Sequence, residues 1–296
     1  MTTLPKVTVV TPVHNRLDYT RAYLRSLRGV VYPNFDVVII DDGSTDGSRE
    51  ALKAGFPEIT VLHGDGNLWW TGGTNVGVEW ALGADADYVL TMNNDVEVDP
   101  QLISSLVDLA ERRPHALIGC KICDNADRDV VTYFGGKVDW PNGDLYHIAG
   151  RESENPDRYA RIQECDWLTG MGVLASRQVF ESVGLYDACA FPHYSGDVDL
   201  SMRAKKAGFE LLVNPGSVVW NKTESTGLTR PADEYSASML WEDLFELRSL
   251  YHLKTNLMLY WRHCPRRLFP RAIVLRYVHY FRPRLKAALA RRSDGR

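Results

Sequence analysis

Along the first hundred residues, short apolar runs alternate with stretches of helical periodicity. Val7–Val13 is a β-branched run of the kind buried on both faces of a parallel sheet, and Leu17–Leu27 carries apolar residues at helical spacing. Phe35–Ile40 is a second buried run, ended by the turn Asp41-Asp42-Gly43-Ser44-Thr45-Asp46-Gly47. The pattern continues with a helix over 48–54, a strand over 59–62, a glycine-rich loop over 64–73 and a helix near 75–82. A fourth strand over 88–92 stops at Asn93-Asn94-Asp95. This alternation predicts βαβ units and a doubly wound sheet.

Beyond residue 100 the pattern loosens. Residues 124–165 are rich in Asp, Gly, Asn and Pro, with strand-like pieces such as Val130–Phe134, and predict antiparallel strands and loops. Helices are expected over 177–183 and 197–207, the latter closed by Gly208, and closing strands over 211–213 and 218–220. A helical, aromatic segment runs from about 234 to 260, with the polar 223–229 stretch and Pro231 marking a boundary before it.

Composition adds little until charge is examined. The chain has 296 residues, 45% hydrophobic, enough for a full core; no repeat or low-complexity tract occurs, and no stretch approaches the roughly 20 apolar residues of a spanning helix. The net charge of −4 conceals an asymmetry: residues 262–296 hold eleven Lys/Arg against one acid, so this segment is +10 and the body −14. The tail interleaves its bases with Leu268, Phe269, Ile273, Tyr277, Tyr280 and Phe281, a mixture suited to the anionic inner face of a membrane. With an acidic body and no nucleic-acid motif, nucleic acid is not an expected partner. The odd number of cysteines (120, 123, 165, 189, 264) and an N-terminus without a signal-peptide pattern predict reduced thiols and a cytoplasmic protein.

Ligands of open α/β sheets bind beyond the carboxyl ends of the strands. Polar clusters fall there: Pro12–Asn15, Asp41–Asp46 and Asn93–Asp95. Asp95, ending an apolar strand, suits a hard divalent cation that keeps its waters and shares a diphosphate. Neither a P-loop nor a complete GxGxxG occurs. Gly196-Asp197-Val198-Asp199 opens a helix directly after the aromatic loop Phe191–Tyr194. One acid there is expected to cap the helix while the other serves as general base, with His193, read as an exposed loop histidine, as the rival.

The series Val7–Asn15, Ile39–Gly47, Gly66–Gly77, Met92–Val98 and Gly196–Gly208 resembles, in order over about residues 5–225, the family 2 glycosyltransferases of the GT-A fold. The Tyr251–His263 stretch is similar to the segment that follows the catalytic domain in bacterial rhamnosyltransferase-like members. The resemblance implies a Rossmann-like, mostly parallel sheet flanked by helices in a catalytic domain 1–228, with a donor half about 1–100 and an acceptor half about 101–228. A helical, basic extension 229–296 follows.

It also implies site residues. Thr11 and Asp42 would contact base and ribose; Pro12, Asn15, Asn67, Gly73, Asn75 and Asn94 would lie by the donor. Asp95, with Asn94 in place of the first acid of a DxD-type motif, would hold Mg²⁺ or Mn²⁺. Asn221 would assist where a histidine is usual. Asp197 would be the base, though Gly196 stands where the family has Glu. Trp167, Thr169, Gly170 and His193 would border the acceptor.

The implied function is inverting transfer of a sugar from a dTDP- or UDP-linked donor to a hydroxyl of a glycan or lipid-linked saccharide. Such a reaction belongs to cell-surface polysaccharide synthesis, and the enzyme would be a rhamnosyltransferase held peripherally at the inner membrane face by its tail. The alternatives are a nucleotide-sugar pyrophosphorylase and an inactive sugar-nucleotide-binding protein.

Overall fold

The computed structural model describes residues 4–150, 152–153, 156–222 and 237–294. The 223–229 stretch and Pro231, read as a boundary, lie outside the described residues.

The first half is built as its pattern predicts. Strands β1 (Val7–Val13), β2 (Phe35–Asp41), β3 (Thr60–His63) and β4 (Tyr88–Thr91) pair in parallel in the order β3-β2-β1-β4. Helices α1 (Leu17–Leu27), α2 (Ser48–Gly55) and α3 (Trp69–Gly83) connect them. α1 buries Thr20, Tyr23, Leu24 and Leu27, the three-and-four spacing of one face. α3 starts at Trp69, so much of the expected glycine-rich loop is its first two turns. Those glycines allow close approach: a Cβ on Gly73 would lie 2.9 Å from Pro12 Cβ, and one on Gly77 2.3 Å from Val10. Gly73 therefore seats α3 on β1.

The second half departs from the expectation of a mostly parallel sheet. After β5 (Val96–Val98) and α4 (Leu102–Arg112) come β6 (Ala116–Asp124), β7 (Val130–Tyr133), β8 (Gly136–Asp139), β9 (Asp144–His147) and β10 (Glu152–Ser153). The short α5 (Pro156–Tyr159), β11 (Gln163–Glu164) and β12 (Val173–Ser176) follow. β12 lies antiparallel to both β4 and β6, so the eleven-stranded sheet is mixed, parallel in the donor half and largely antiparallel beyond it. The reversal arises because the chain re-enters the sheet beside β4 from its opposite end. β13 (Glu210–Asn221) unites the two expected closing strands. Its register shifts between Asn214 and Val218, around Pro215, which has no amide to donate to a ladder. Apolar layers cover both faces of the sheet.

Helices α6 (Arg177–Val183) and α7 (Gly196–Lys206) complete the catalytic body; α8 (Ala237–Phe245), α9 (Leu253–His263) and α10 (Phe269–Asp294) form the extension. The extension is clamped onto the body. The Tyr260 hydroxyl donates to the Gly143 carbonyl of the β8–β9 hairpin (2.7 Å), and Gly143 packs so closely on Ala272 that no Cβ would fit. Arg262 and His263 reach α7, as described below. Much of the aromatic content of the tail is internal: Tyr280 is buried against Tyr251, and Arg284 lies 4.0 Å over the Tyr280 ring. Among the described residues, no helix is long and apolar enough to cross a membrane.

Candidate active site

The polar clusters converge beyond the carboxyl ends of β1, β2 and β4, and local backbone strain marks the same place. Five non-glycine residues have left-handed backbone: Asn15, Arg16, Trp69, Asp85 and Ser195, with φ from 56 to 70°. Four of them, all but Asp85, sit in the segments that bound the cleft. Such conformations each cost about 1–3 kcal/mol and persist where surrounding structure imposes them.

Several expected donor residues build the cleft walls. Asp42 is buried; its Oδ1 accepts from the Gly66 amide (2.8 Å) and its Oδ2 from the Leu68 and Trp69 amides (3.0 and 3.1 Å), which shapes the Gly64–Trp69 loop. The Asn15 side chain accepts from the Thr45 amide (2.9 Å) and braces the turn after β2. Thr11 is fully buried, its hydroxyl 2.9 Å from that of Tyr23, and Asn75 clasps both the amide and carbonyl of Tyr186. Asn94 donates to the Thr20 hydroxyl (2.9 Å), while Asn67 is exposed on the loop. These positions shape one wall of the cleft, and the side chains of Thr11 and Asn75 are directed at their protein partners.

Trp70, a residue without an assigned role in the sequence reading, links the two halves. Its indole donates to Asn93 Oδ1 (3.0 Å), and its ring covers Gly170 so closely that a Cβ there would lie 2.2 Å away. Gly170 in turn donates its amide to Asp197 Oδ2 (2.9 Å), and the Val198 amide donates to Oδ1 (2.8 Å). Among the described residues no cation is paired with Asp197, and burial raises its pKa above the ordinary carboxylate value, with the amide bonds opposing. The signal for Trp70 was present in the aromatic pair Trp69-Trp70 inside a glycine-rich segment.

The second acid behaves differently. Asp199 is fully buried and takes Arg203 (2.8 Å), Arg262 (2.9 Å) and His263 (2.8 Å), two of them from the extension. Burial alone would raise its pKa, but the hydrogen bonds from His263, Arg203 and Arg262 and the charge of Arg203 hold it near 2. Neither acid caps α7: Ser195, its N-cap, has left-handed backbone and no side-chain cap bond. Gly196 has its own reason, since a Cβ there would lie 2.7 Å from Thr71 Oγ1 on α3.

His193 is half-buried and not the exposed histidine expected. Its ring packs on Trp69 and Tyr194, and burial together with the charge of Arg248 lowers its pKa to about 4, so it is neutral at pH 7. Trp167 is buried against Tyr133 and His147, with its ring over Gly136, and belongs to the core of the acceptor half. Thr169 donates its amide to the Tyr133 hydroxyl (2.9 Å). Of the four expected acceptor positions, Gly170 and His193 stand in the cleft lining, and Trp167 supports it from behind.

The expected cation residues are brought together by the sheet. β13 pairs antiparallel with β5 so that Asn221 lies opposite Val96, and the Lys222 amide donates to the Asp95 carbonyl (3.0 Å). Asp95 is buried, with Arg16 3.9 Å away, and the buried Asn221 Oδ1 has no hydrogen-bond partner among the described residues. One carboxylate and one amide oxygen fit a hard cation that takes its remaining ligands from water and a diphosphate. No cluster of three His, Cys, Asp or Glu side chains occurs among the described residues.

The model of the family described as "Glycosyl transferase family 2" matches residues 8–166, more than half of the chain. A curated relative, N-acetylglucosaminyl-diphospho-decaprenol L-rhamnosyltransferase of Mycobacterium tuberculosis, is 29% identical over 237 residues, covering 74% of this chain and 77% of its own. A mannosyltransferase from Pyrobaculum calidifontis, solved with GDP-Man and Mn²⁺, superposes with a TM-score of 0.61 at 15% identity over 98% of this chain and 74% of that one. GalNAc-T7, solved with UDP, GalNAc and Mn²⁺, gives 0.58 at 18% identity over 74% of this chain; the match spans 43% of that protein. The chain belongs to glycosyl transferase family 2 and has the GT-A fold.

Proposed function

We propose that this protein transfers rhamnose, with inversion, from a dTDP- or UDP-linked donor to a hydroxyl of a lipid-linked saccharide in cell-surface polysaccharide synthesis. The observation that carries the reading is the Asp197 carboxylate. It is held by two backbone amides, is paired with no cation among the described residues and has its pKa raised. A carboxylate so placed can take the proton of an acceptor hydroxyl as the new bond forms, and raising its pKa makes it a stronger base. One base acting opposite the leaving diphosphate gives a single displacement with inversion. The lipid-linked acceptor and the rhamnosyl group are supported by the name of the mycobacterial relative.

Asp95 and Asn221 would hold Mg²⁺ or Mn²⁺, which would neutralise charge developing on the diphosphate. Arg16 stands beside them and adds positive charge at the same place. A thermal-shift panel of dTDP- and UDP-sugars, with Mg²⁺, Mn²⁺ or chelator, tests the donor side, because selective binding stabilises the fold. A dTDP-sugar should raise the melting temperature, less so in Asp95→Ala or with chelator. No shift with any sugar nucleotide refutes the reading.

The same reading places the protein in the cytoplasm, peripherally bound to the inner membrane face. Val274, Val278 and Leu285 recur at helical spacing on α10 and are exposed, with exposed Arg271, Arg282 and Lys286 beside them. Each base near an anionic surface contributes about 1 kcal/mol. Replacing those three bases by Glu should abolish salt-sensitive pelleting with anionic vesicles while leaving sugar-nucleotide binding intact; unchanged pelleting refutes the membrane role.

A further inference from the structure

Arg248 lies in the α8–α9 connection, yet it reaches the catalytic cleft. Its guanidinium sits 5.4 Å over the Trp69 ring, and its charge is felt by both His193 and Tyr194. The side chain is exposed, and among the described residues no carboxylate pairs with it. This is a cation delivered by the extension to the aromatic rim of the site, with its donors open to a ligand.

On either side of it in the chain, α8 and α9 together with the start of α10 form an apolar groove of about 440 Å³. Leu244, Phe245, Leu253, Leu257, Trp261 and Phe269 line it. Phe245 and Trp261 are 50% and 65% exposed, and Leu257 39%, which is unusual for side chains grouped on one face of a folded domain. Lys254 adds a second cation to the lining. An exposed cation at the cleft and a cation-edged apolar groove three residues from it along the chain are complementary to one kind of molecule, an anionic head bearing a hydrocarbon chain.

We propose that Arg248 and this groove form the docking site of the acceptor, with the guanidinium on the phosphate that joins sugar to lipid and the groove holding the first part of the chain. The inference rests on the lipid-linked acceptor of the functional reading and assigns it residues that the family motifs do not include. Geometrically, Arg248 is the hinge between the two parts, since it follows Phe245 of the groove by three residues and lies over Trp69 of the cleft. A guanidinium suits a phosphate because it offers several donors in a fixed planar fork. The aromatic and aliphatic lining gains by burying hydrocarbon that water would otherwise surround.

The test measures binding of three probes to the full chain with dTDP or UDP present to fill the donor site: farnesyl diphosphate, farnesol and inorganic diphosphate. Farnesyl diphosphate should bind more tightly than either fragment. Arg248→Gln should weaken farnesyl diphosphate about tenfold or more, as expected for loss of charged hydrogen bonds, while leaving farnesol unchanged. Leu257→Ser should weaken farnesyl diphosphate and farnesol but not inorganic diphosphate. Failure of the unmodified protein to bind farnesyl diphosphate overturns the proposal, as does Arg248→Gln binding it with unchanged affinity. A loss of sugar-nucleotide binding in Arg248→Gln also overturns it, because the guanidinium would then serve the donor. If no sugar nucleotide shifts the melting temperature but the farnesyl diphosphate pattern holds, the donor reading fails and the docking site stands.

Discussion

Asp197 and Asp199 stand two residues apart on one helix and face different regions of the molecule. Asp197 faces the cleft, where two backbone amides hold it, no cation among the described residues is paired with it, and desolvation raises its pKa. Asp199 faces the extension, where two arginines and a histidine surround it and hold its pKa near 2. Asp199 is fully buried and Asp197 half-buried, and desolvation acts on both. The difference shows that burial does not determine a carboxylate's chemistry; its charged neighbours do. A carboxylate without a counter-charge is a better proton acceptor, and one held by two arginines and a hydrogen-bonded histidine is a fastener.

The comparison can be broken most directly at Asp197. Asp197→Asn keeps the shape and removes the base, so transfer should fall on the order of a hundredfold or more while sugar-nucleotide binding changes little. Melting temperature should hold or rise, since the variant no longer buries a carboxylate that loses solvation. Near-normal turnover would shift suspicion to His193.

Asp199→Ala should act oppositely, on stability first. Removing the carboxylate takes a hydrogen-bonded partner from the half-buried Arg203 and Arg262 and from the buried His263, a loss of about 2–3 kcal/mol, read by chemical denaturation. Turnover per folded molecule should survive far better than in Asp197→Asn. The pH dependence sharpens the contrast. A folded pKa near 2 against an unfolded value near 3.8 means that Asp199 contributes about 2 kcal/mol at neutral pH. That contribution is present above the unfolded pKa and is lost as pH falls through about 4 toward 2. Asp199→Asn should therefore lose the part of the acid-stability profile between pH 4 and 2. The raised pKa of Asp197 works in the other sense, since protonating it favours the fold and removes the base. An identical acid profile in Asp199→Asn would show that the clamp is not ionic.

The smallest effect is expected from Gly170→Ala. The added methyl would fall 2.2 Å from Trp70, so the indole must move and the amide that holds Asp197 moves with it. Turnover should drop about tenfold at most, with a melting temperature near that of the parent protein. A loss as large as that of Asp197→Asn would mean that Trp70 itself touches the substrate.

The clamp also explains what truncation can reveal. Removing residues 262–296 would take Arg262 and His263 away from Asp199 along with the basic tail, so its effect on membrane binding would be mixed with a stability loss on the catalytic helix. Charge reversal on the exposed face of α10 separates the two.

The elements of the first hundred residues follow from sequence because each is locally determined. A β-branched run flanked by turn residues has one sensible conformation, and short helical connections set β1, β2 and β3 side by side, whereas α3 carries the chain back across β2 and β1 to β4. The polar clusters after β1, β2 and β4, and the acids at 197 and 199, were visible as residue types in the right places. Which acid is fastened and which is left to face the cleft was decided elsewhere, by Arg262 and His263, over sixty residues away. The same holds for the antiparallel entry of β12 between β4 and β6, the withdrawal of Trp167 into the core and the placement of Arg248 over Trp69. Periodicity and turn chemistry report on neighbours within a few residues, and so determine helices, strands and their ends. Partners brought together by the closing of the sheet and the docking of α9 leave no local trace, and they set the charge, burial and role of each side chain in the site.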